Sequence, residues 1–237
     1  MSAVTLWALL GALVASYAVG SIPFAYLIVR LVSGEDITTH GTGNVGSMNV
    51  RRTTGSWGWF VVAVLADGMK GLIPVAVSKA ILVGPLLLIP WTISVGRLGG
   101  LGQAWWFTML LPQLAVAGCV MGHNYSVWMV LIKRRFARTG KGLATGAGAL
   151  LAYDWRYLVA VLAVALLVIA VTRYMMAGQV AAAAALPVVA ALLHSSDWPF
   201  ALVMGALVYL AHHKRFVGLL RGDEPKLYIN DRMGPTG

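Results

Sequence analysis

Charged residues are scarce in this chain of 237 amino acids: only 11% are Asp, Glu, Lys or Arg, while 59% are hydrophobic. An ordinary soluble domain carries roughly 25% charged residues, so most of this surface does not face water. Cysteine is almost absent, since Cys119 stands alone in an apolar run, where we expect a small packing residue. One cysteine excludes an internal disulfide framework and a zinc site built from cysteines.

Motifs of metal-dependent and serine-based catalysis are missing as well. The sequence has no HExxH, no GxSxG and no pair of acids beside metal-ligand neighbours, and it contains only eight acids in all. Catalysis by a bound metal or a serine triad therefore has little support. The N-terminal Met1–Trp7 also lacks a basic segment ahead of its apolar run, which predicts a retained span and not a cleaved signal.

Long apolar segments recur along the chain, and about 20 apolar residues are enough to cross the hydrocarbon core of a bilayer. We predict an all-α fold, a polytopic membrane bundle of about seven transmembrane helices, although five or six would also fit. The strong candidates are Ala3–Val29, Trp57–Val77, Trp105–Val120, Leu158–Val171 and Met176–Leu193. The weaker candidates, which need flanking residues to complete a helix, are Leu143–Tyr153 and Pro199–Ala211.

Three further features complete the predicted architecture. The sequence Gly20-Ser21-Ile22-Pro23 should break the first span, because proline cannot continue a helical hydrogen-bond ladder. Leu82–Val95 is predicted to lie in an outer loop or an interfacial helix. No change in composition marks a linker, so we expect one membrane domain at residues 1–213 and a cytoplasmic tail at residues 214–237.

Basic residues indicate how the chain is oriented, because cytoplasmic loops of membrane proteins are rich in Lys and Arg. With the N-terminus outside, all but four of the 18 basic residues fall inside, and Lys70 lies within a span. This predicts a plasma-membrane protein whose polar loops face the cytoplasm. The formal net charge of +10 favours contact with anionic headgroups over nucleic acid, because the basic residues lie in short loops between spans.

Small and polar residues crowd residues 41–52, here called the first loop, with the sequence GTGNVGSMNVRR. Glycine allows positive φ and close approach of the backbone to a ligand, and successive free N–H groups form a cradle for an anion. Arginine adds a planar fork that matches phosphate oxygens. The alternative is a flexible turn between two spans, which would not need Asn, Arg and hydroxyl groups together.

A second glycine-rich segment, residues 139–146 with the sequence TGKGLATG, is here called the second loop. Its lysine lies between two glycines at the start of an apolar helix, where free N–H groups favour anions. It is not a Walker A loop, because Arg135 and Gly142 stand where that motif needs Gly and Ser or Thr. We therefore predict phosphate binding without ATP; the alternative is a clamp on the membrane surface.

Four side chains outside the loops are further candidates. Asp67 and Lys70 share one helical face within a span, where they would form either an internal ion pair or a substrate contact. His123 ends a span on the cytoplasmic side, where it would serve in acid–base chemistry or be held by a backbone carbonyl. His212 ends the last span on the same side, next to His213.

These segments occur in one order that resembles a known family. The sequence GSIPF at 20–24, the first loop, the stretch Leu65–Gly71, the pair Gly122-His123 and the second loop match the bacterial acyl-phosphate:glycerol-3-phosphate acyltransferases. The family's motifs read roughly GSGNxGATNxxR, DxxKG, GHxxPxFxxFxGGKGVAT and HxxNIxRLxxGxE. The resemblance covers about residues 18–224. The motifs together are specific for the family, although each glycine loop alone is only a weak indication of it.

The resemblance implies a seven-helix enzyme with a cytoplasmic active site and no metal or nucleotide cofactor. Such an enzyme moves a fatty acyl group from acyl phosphate to the 1-hydroxyl of glycerol 3-phosphate and produces lysophosphatidic acid for phospholipid synthesis. The resemblance implies functional roles for Thr42, Asn44, Asn49, Arg52, Lys141 and His212. Together with the candidates taken from the residues themselves, the expected catalytic residues are Lys141, His212 and His123. The expected substrate-binding residues are Thr42, Gly43, Asn44, Gly46, Asn49, Arg52, Asp67, Lys70, Gly140 and Gly142.

The chain departs from the family pattern at several positions. Ser47-Met48 replaces Ala-Thr, Ser126 replaces a Pro, and about six extra residues, many of them basic, lie between His123 and Lys141. Further departures lie at Met176, Gln179, Arg215 and Gly218. They leave open whether the acceptor is altered. The alternative class is a non-catalytic transporter or headgroup-binding protein, which broken helices and intramembrane charges would also suit. The general base also stays open between His123, His212 and the substrate's own phosphate.

Overall fold

The computed structural model describes residues 3–83, 105–193 and 196–224, and every regular element within these ranges is helical. This confirms the predicted all-α class. A 3₁₀ helix at Ile37–Thr39 accompanies the α-helices, which are α1 (Ala3–Gly20), α2 (Phe24–Ser33), α3 (Ser47–Thr54), α4 (Trp57–Val83), α5 (Trp105–Asn124), α6 (Val127–Lys133), α7 (Leu143–Thr172), α8 (Met175–Leu193) and α9 (Trp198–Arg221).

Five helical segments in the described residues are long and apolar enough to cross a membrane, which makes the chain a multi-pass membrane protein. They are Thr5–Ser33, Trp57–Leu82, Phe107–Lys133, Leu143–Thr172 and Met175–Leu193. A shorter apolar helical stretch follows at Trp198–Leu210. The predicted total of about seven stays a prediction, and residues 84–95 of the predicted outer segment lie outside the described ranges.

The first span is interrupted where the sequence predicts it, because α1 ends at Gly20 and α2 begins at Phe24. An interruption inside a membrane frees backbone carbonyls, which need partners in place of water. Side chains from elsewhere supply them: Lys70 Nζ of α4 donates to the Ile22 carbonyl over 2.8 Å, and Ser126 Oγ donates to the Ser21 carbonyl. The interruption is therefore a fixed structural feature.

Helices α1 and α5 pack closely because α5 carries small residues one turn apart. A Cβ atom on Gly118 would lie 2.6 Å from the Leu13 carbonyl oxygen, and one on Gly122 would lie 2.3 Å from that of Tyr17. Spacing of small residues by four positions lets helix backbones approach in a bilayer. This contact fixes the end of α5, where His123 lies, against α1.

The chain divides into two compact units, residues 1–155 and 156–237, and the division lies within α7. Asp154 has an extended backbone there, with φ −161° and ψ 113°. The two predicted segments Leu143–Tyr153 and Leu158–Val171 lie on either side of this residue. On the first side, Lys79 Nζ of α4 donates to the carbonyl oxygens of Ala152 (3.1 Å) and Tyr153 (2.7 Å), which end that helical segment.

The second unit contains the rest of α7 with α8 and α9. Tyr157 Oη donates to Asp197 Oδ2 over 2.9 Å. The Arg215 guanidinium makes two bonds to the Glu224 carboxylate, at 2.9 and 2.5 Å. Helix α9 continues past residue 213, where the membrane domain was predicted to end, and ends at Arg221. Residues 225–237 lie outside the described ranges, so the extent of the tail stays a prediction.

Candidate functional site

The segment that leads into the first loop is anchored at its start by one carboxylate. Asp36 caps the 3₁₀ helix by accepting hydrogen bonds from Thr38 N (3.0 Å) and Thr38 Oγ1 (2.7 Å). The same carboxylate forms an ion pair with Lys133 of α6. A buried apolar cluster joins this segment to α2, α3, α4 and α6, and it comprises Ala25, Val29, Ile37, Val45, Val50, Ala63 and Met129.

Asn49 holds the first loop in shape from inside. Its side chain is 2% exposed, and Nδ2 lies 3.0 Å from each of the carbonyl oxygens of Ile37, His40 and Asn44. An amide nitrogen has only two hydrogens, so the three contacts share them. The sequence predicts Asn49 as a substrate-binding residue; the structure shows that its nitrogen organises the backbone of the loop.

The two arginines of the first loop have different surroundings. The Arg51 guanidinium carbon lies 3.7 Å from the centroid of the Trp57 ring, which is a cation–π contact. Arg52 is exposed, and its side chain passes beside Gly41, which has φ +53°. Thr42 is exposed next to it. Arg52 and Thr42 are thus both accessible to solvent, and their implied role in substrate binding stays a prediction.

The second loop is tied to both α5 and the first loop through Thr139. Thr139 Oγ1 donates to the His123 carbonyl and Thr139 N donates to the Asn124 carbonyl, each over 2.8 Å. The Thr139 carbonyl in turn accepts a hydrogen bond of 2.7 Å from Val45 N. Two glycine-rich segments that are about 90 residues apart in sequence therefore lie side by side.

Each of the two glycines that flank Lys141 has a structural reason to be glycine. A Cβ atom on Gly140 would lie 2.1 Å from Nε2 of His123, so only glycine fits against that ring. Gly142 has φ +73°, a conformation that favours glycine, and α7 begins at the next residue. Arg138 Nε donates to the Gly140 carbonyl over 3.0 Å. Lys141 is half-buried between the two glycines.

A buried polar cluster lies beneath this loop. Lys70 Nζ lies 2.7 Å from Asp67 Oδ1, so the internal ion pair that the sequence allows is present. His123 Nδ1 lies 3.7 Å from the same oxygen and 3.2 Å from Oγ1 of Thr145 in α7. All four side chains are at most 7% exposed. The cluster connects α4, α5 and α7 within the first unit.

His212 belongs to the second unit. Its side chain is 3% exposed, and Nδ1 lies 2.8 Å from the Val208 carbonyl oxygen of its own helix. Its implied catalytic role stays a prediction. Within the described residues, no group of three His, Cys, Asp or Glu side chains is arranged to hold a metal ion.

Sequence reasoning missed two hydroxyl groups that organise the site. Thr139 appeared only as the first letter of the second loop, and Ser126 only as a replacement for a proline. Ser126 Oγ accepts a hydrogen bond of 3.2 Å from Met129 N and so caps α6, which is a frequent role of serine at a helix start. A serine directly before the apolar run VWMVLIK was the available signal.

Comparison with known proteins relates this chain to one protein family. A family model described as glycerol-3-phosphate acyltransferase matches residues 10–222. A glycerol-3-phosphate acyltransferase of Thermosynechococcus vestitus is 35% identical over 221 residues, covering 90% of this chain and 92% of the relative. Glycerol-3-phosphate acyltransferase 2 of Moorella thermoacetica is 35% identical over 219 residues, covering 91% and 96%.

A solved structure shows the same fold. The crystal structure of PlsY (YgiH), an integral membrane glycerol 3-phosphate acyltransferase in its glycerol 3-phosphate form, has a TM-score of 0.70 and 25% sequence identity. The match covers 93% of this chain and 96% of that chain.

Proposed function

This chain belongs to the glycerol-3-phosphate acyltransferase family, and we propose that it transfers a fatty acyl group from acyl phosphate to the 1-hydroxyl of glycerol 3-phosphate. The product would be lysophosphatidic acid. The observation that supports this proposal most is the hydrogen bond between Val45 N and the Thr139 carbonyl, 2.7 Å long. It joins the two glycine-rich loops, and a transfer between two phosphorylated substrates needs two anion sites side by side.

The first loop suits the phosphate of the acceptor. Gly41 and Gly43 have positive φ, a backbone conformation that favours glycine, and α3 begins four residues after Gly43, at Ser47. The N-terminus of a helix attracts an anion. Arg52 adds a charged fork and Thr42 a hydroxyl, while Asn44 and Gly46 complete the turn into the helix.

The second loop suits the donor. Acyl phosphate is a mixed anhydride and already activated, so no covalent enzyme intermediate is needed. The protein must mainly position two anions and stabilise the charge that grows on the departing phosphate. Lys141, held between Gly140 and Gly142 at the start of α7, provides a cation at that point. His123 is a candidate within the first unit for moving the proton, and His212 of the second unit is a candidate on the resemblance alone.

The proposed site faces the cytoplasm of the cell that holds this chain in its plasma membrane. The support is the excess of Lys and Arg in the loops on that side. Segment 127–138 adds to it, because exposed apolar side chains, Trp128, Leu131 and Phe136, lie in the same short segment as the basic residues 133–135 and Arg138. Such a segment suits an interface of anionic headgroups.

Enzyme assay separates this proposal from a non-catalytic headgroup-binding protein. Purified chain, reconstituted in lipid nanodiscs, is supplied with radiolabelled glycerol 3-phosphate and palmitoyl phosphate, and the lipids are separated by thin-layer chromatography. We expect labelled lysophosphatidic acid with palmitoyl phosphate and none with palmitoyl-coenzyme A. Product only with the thioester would contradict the proposed donor, and no product with either would contradict the proposed activity.

Orientation is tested separately by cysteine labelling in a Cys119→Ser background. Single cysteines at Thr42 and Leu143, both exposed, should react with an impermeant maleimide only in inside-out vesicles. Labelling of either loop from the outer face would contradict the proposed cytoplasmic site.

A further inference from the structure

Helix α6 presents one apolar face to the protein and another outward. Met129 is buried in the apolar cluster that joins α2, α3 and α4, whereas Trp128, Leu131 and Ile132 are exposed. These three side chains share a face, because residues three and four apart are neighbours on a helix. Trp128 Nε1 donates to the Ala18 carbonyl over 3.2 Å, which fixes α6 to α1. In a multi-pass membrane protein, such an exposed apolar face contacts the bilayer.

Basic side chains follow directly where this face ends. Lys133 forms an ion pair with Asp36. Arg134 and Arg135 are exposed, and neither makes a hydrogen bond or an ion pair with any residue that the structure describes. The Cα atom of Arg135 lies no more than about 11 Å from that of Ile132, the reach of three residues. The two arginines therefore lie at the level of the lipid headgroups, where they attract anionic lipids.

The chain then turns back to the second loop. Arg134 has φ +51°, a left-handed conformation that ends α6. Phe136 stacks on the Tyr125 ring, with centroids 5.7 Å apart and an interplanar angle of 2°. Arg138 Nε donates to the Gly140 carbonyl of the second loop over 3.0 Å. One continuous surface, apolar at α6 and basic after it, therefore extends from the bilayer to the loop that we assign to the donor.

The proposed donor has the same two properties as this surface. Acyl phosphate is an amphiphile, whose acyl chain partitions into the bilayer and whose phosphate carries negative charge at the headgroup level. Glycerol 3-phosphate is polar throughout and has no use for an apolar face. Phospholipids of the bilayer carry similar charge, but the continuity of the surface with the second loop favours the lipid that reacts there.

We infer that segment 127–138 is a docking surface for the acyl phosphate donor, which rests on the proposed function. The exposed face of α6 lies along the acyl chain, and Arg134 and Arg135 attract the phosphate before it reaches Lys141. The surface raises the local concentration of donor and takes no part in the transfer itself. Its loss should therefore raise KM for the donor and leave kcat unchanged.

The double variant Arg134→Gln/Arg135→Gln tests this surface, because it removes both charges at exposed positions. The assay uses nanodiscs of phosphatidylcholine alone, in which the donor is the only anionic lipid supplied. Each single variant should raise KM for palmitoyl phosphate about 5-fold, which corresponds to about 1 kcal/mol per basic residue. The double variant should raise it about 25-fold. KM for glycerol 3-phosphate and kcat should stay within about 2-fold.

The matched control is Arg221→Gln, which removes an exposed arginine from the last turn of α9. All three kinetic constants should stay at their wild-type values. Radiolabelled hexadecyl phosphate, which has no acyl group to transfer, measures docking without turnover. Its affinity for protein in nanodiscs, corrected for empty nanodiscs, should fall in the double variant and not in Arg221→Gln. The same fall should appear in a Lys141→Ala background, where the second loop has lost its cation.

The outcomes separate this inference from the proposed function. Wild-type protein that transfers no acyl group overturns both. An active wild type whose double variant keeps KM for palmitoyl phosphate within about 2-fold overturns the inference alone, and the surface then serves phospholipids of the bilayer. An equal rise of KM in Arg221→Gln also overturns it, because any cation would then have the same effect. So does a fall in kcat at constant KM, which would place the two arginines in the transfer itself.

Discussion

The two glycine-rich loops are held in place in opposite ways. The first loop is bound mostly to itself and its own flank, through the contacts of Asn49 with carbonyl groups at most 12 residues away. The second loop is bound to other elements: Thr139 to α5 and to Val45, and Gly140 against the ring of His123. We therefore expect changes in the first loop to alter affinity, and changes in the second to alter turnover.

Lys141→Ala should have the largest effect, in the second loop. Its charge matters most as the leaving phosphate develops charge, so kcat should fall by about 10²- to 10³-fold, as for loss of one donor in an oxyanion site. KM should change far less. Lys141→Arg should rescue poorly, because the guanidinium is a wider, planar donor than the ammonium group that it replaces in a closely packed glycine turn.

The matched control for this lysine is Arg135→Ala, which removes an exposed cation six residues earlier in the chain. It should leave kcat unchanged. Equal losses of kcat in both variants would show that the second loop acts through general surface charge. The proposed difference between the two loops, turnover against affinity, would then have no support.

Asn49→Ala should have the next largest effect, in the first loop. The substitution leaves buried carbonyl groups without a donor, at a cost of about 1–3 kcal/mol in the free energy of unfolding. KM for glycerol 3-phosphate should rise with kcat less affected, because the damage stays within the loop. Thermal unfolding and steady-state kinetics measure the two effects, and a fall in kcat at constant KM would contradict the division between the loops.

Arg51→Ala should have the smallest effect. The guanidinium lies on the Trp57 ring and makes a contact worth about 0.5–1 kcal/mol in exposed positions. Stability should fall by no more than that amount, and KM for glycerol 3-phosphate should change by less than about 5-fold. A larger rise in KM would mean that Arg51, not Arg52, carries the acceptor phosphate.

Local sequence signals predicted the parts of this molecule that depend on neighbouring residues. Pro23 after Gly20 predicted the interruption of the first span. The spacing of Asp67 and Lys70 predicted a shared helical face, with the ion pair as one of two alternatives. Contacts between residues that are far apart in the sequence have no such signal. No local sequence pattern predicts the contact of Thr139 with Val45, or that of Thr145 with His123. The assignment of Asn49 to substrate came from its place in the motif, whereas its burial and its three carbonyl contacts depend on the folded loop.

Steady-state kinetics of Arg52→Ala, with each substrate varied in turn and Arg51→Ala alongside, tests the shared site most directly. A charge-assisted hydrogen bond to phosphate is worth about 1.5–3 kcal/mol, so KM for glycerol 3-phosphate should rise roughly 10- to 150-fold. KM for palmitoyl phosphate should stay near its wild-type value. An Arg52→Ala variant with both KM values and kcat unchanged would show that the first loop is not a substrate site, which would contradict the account.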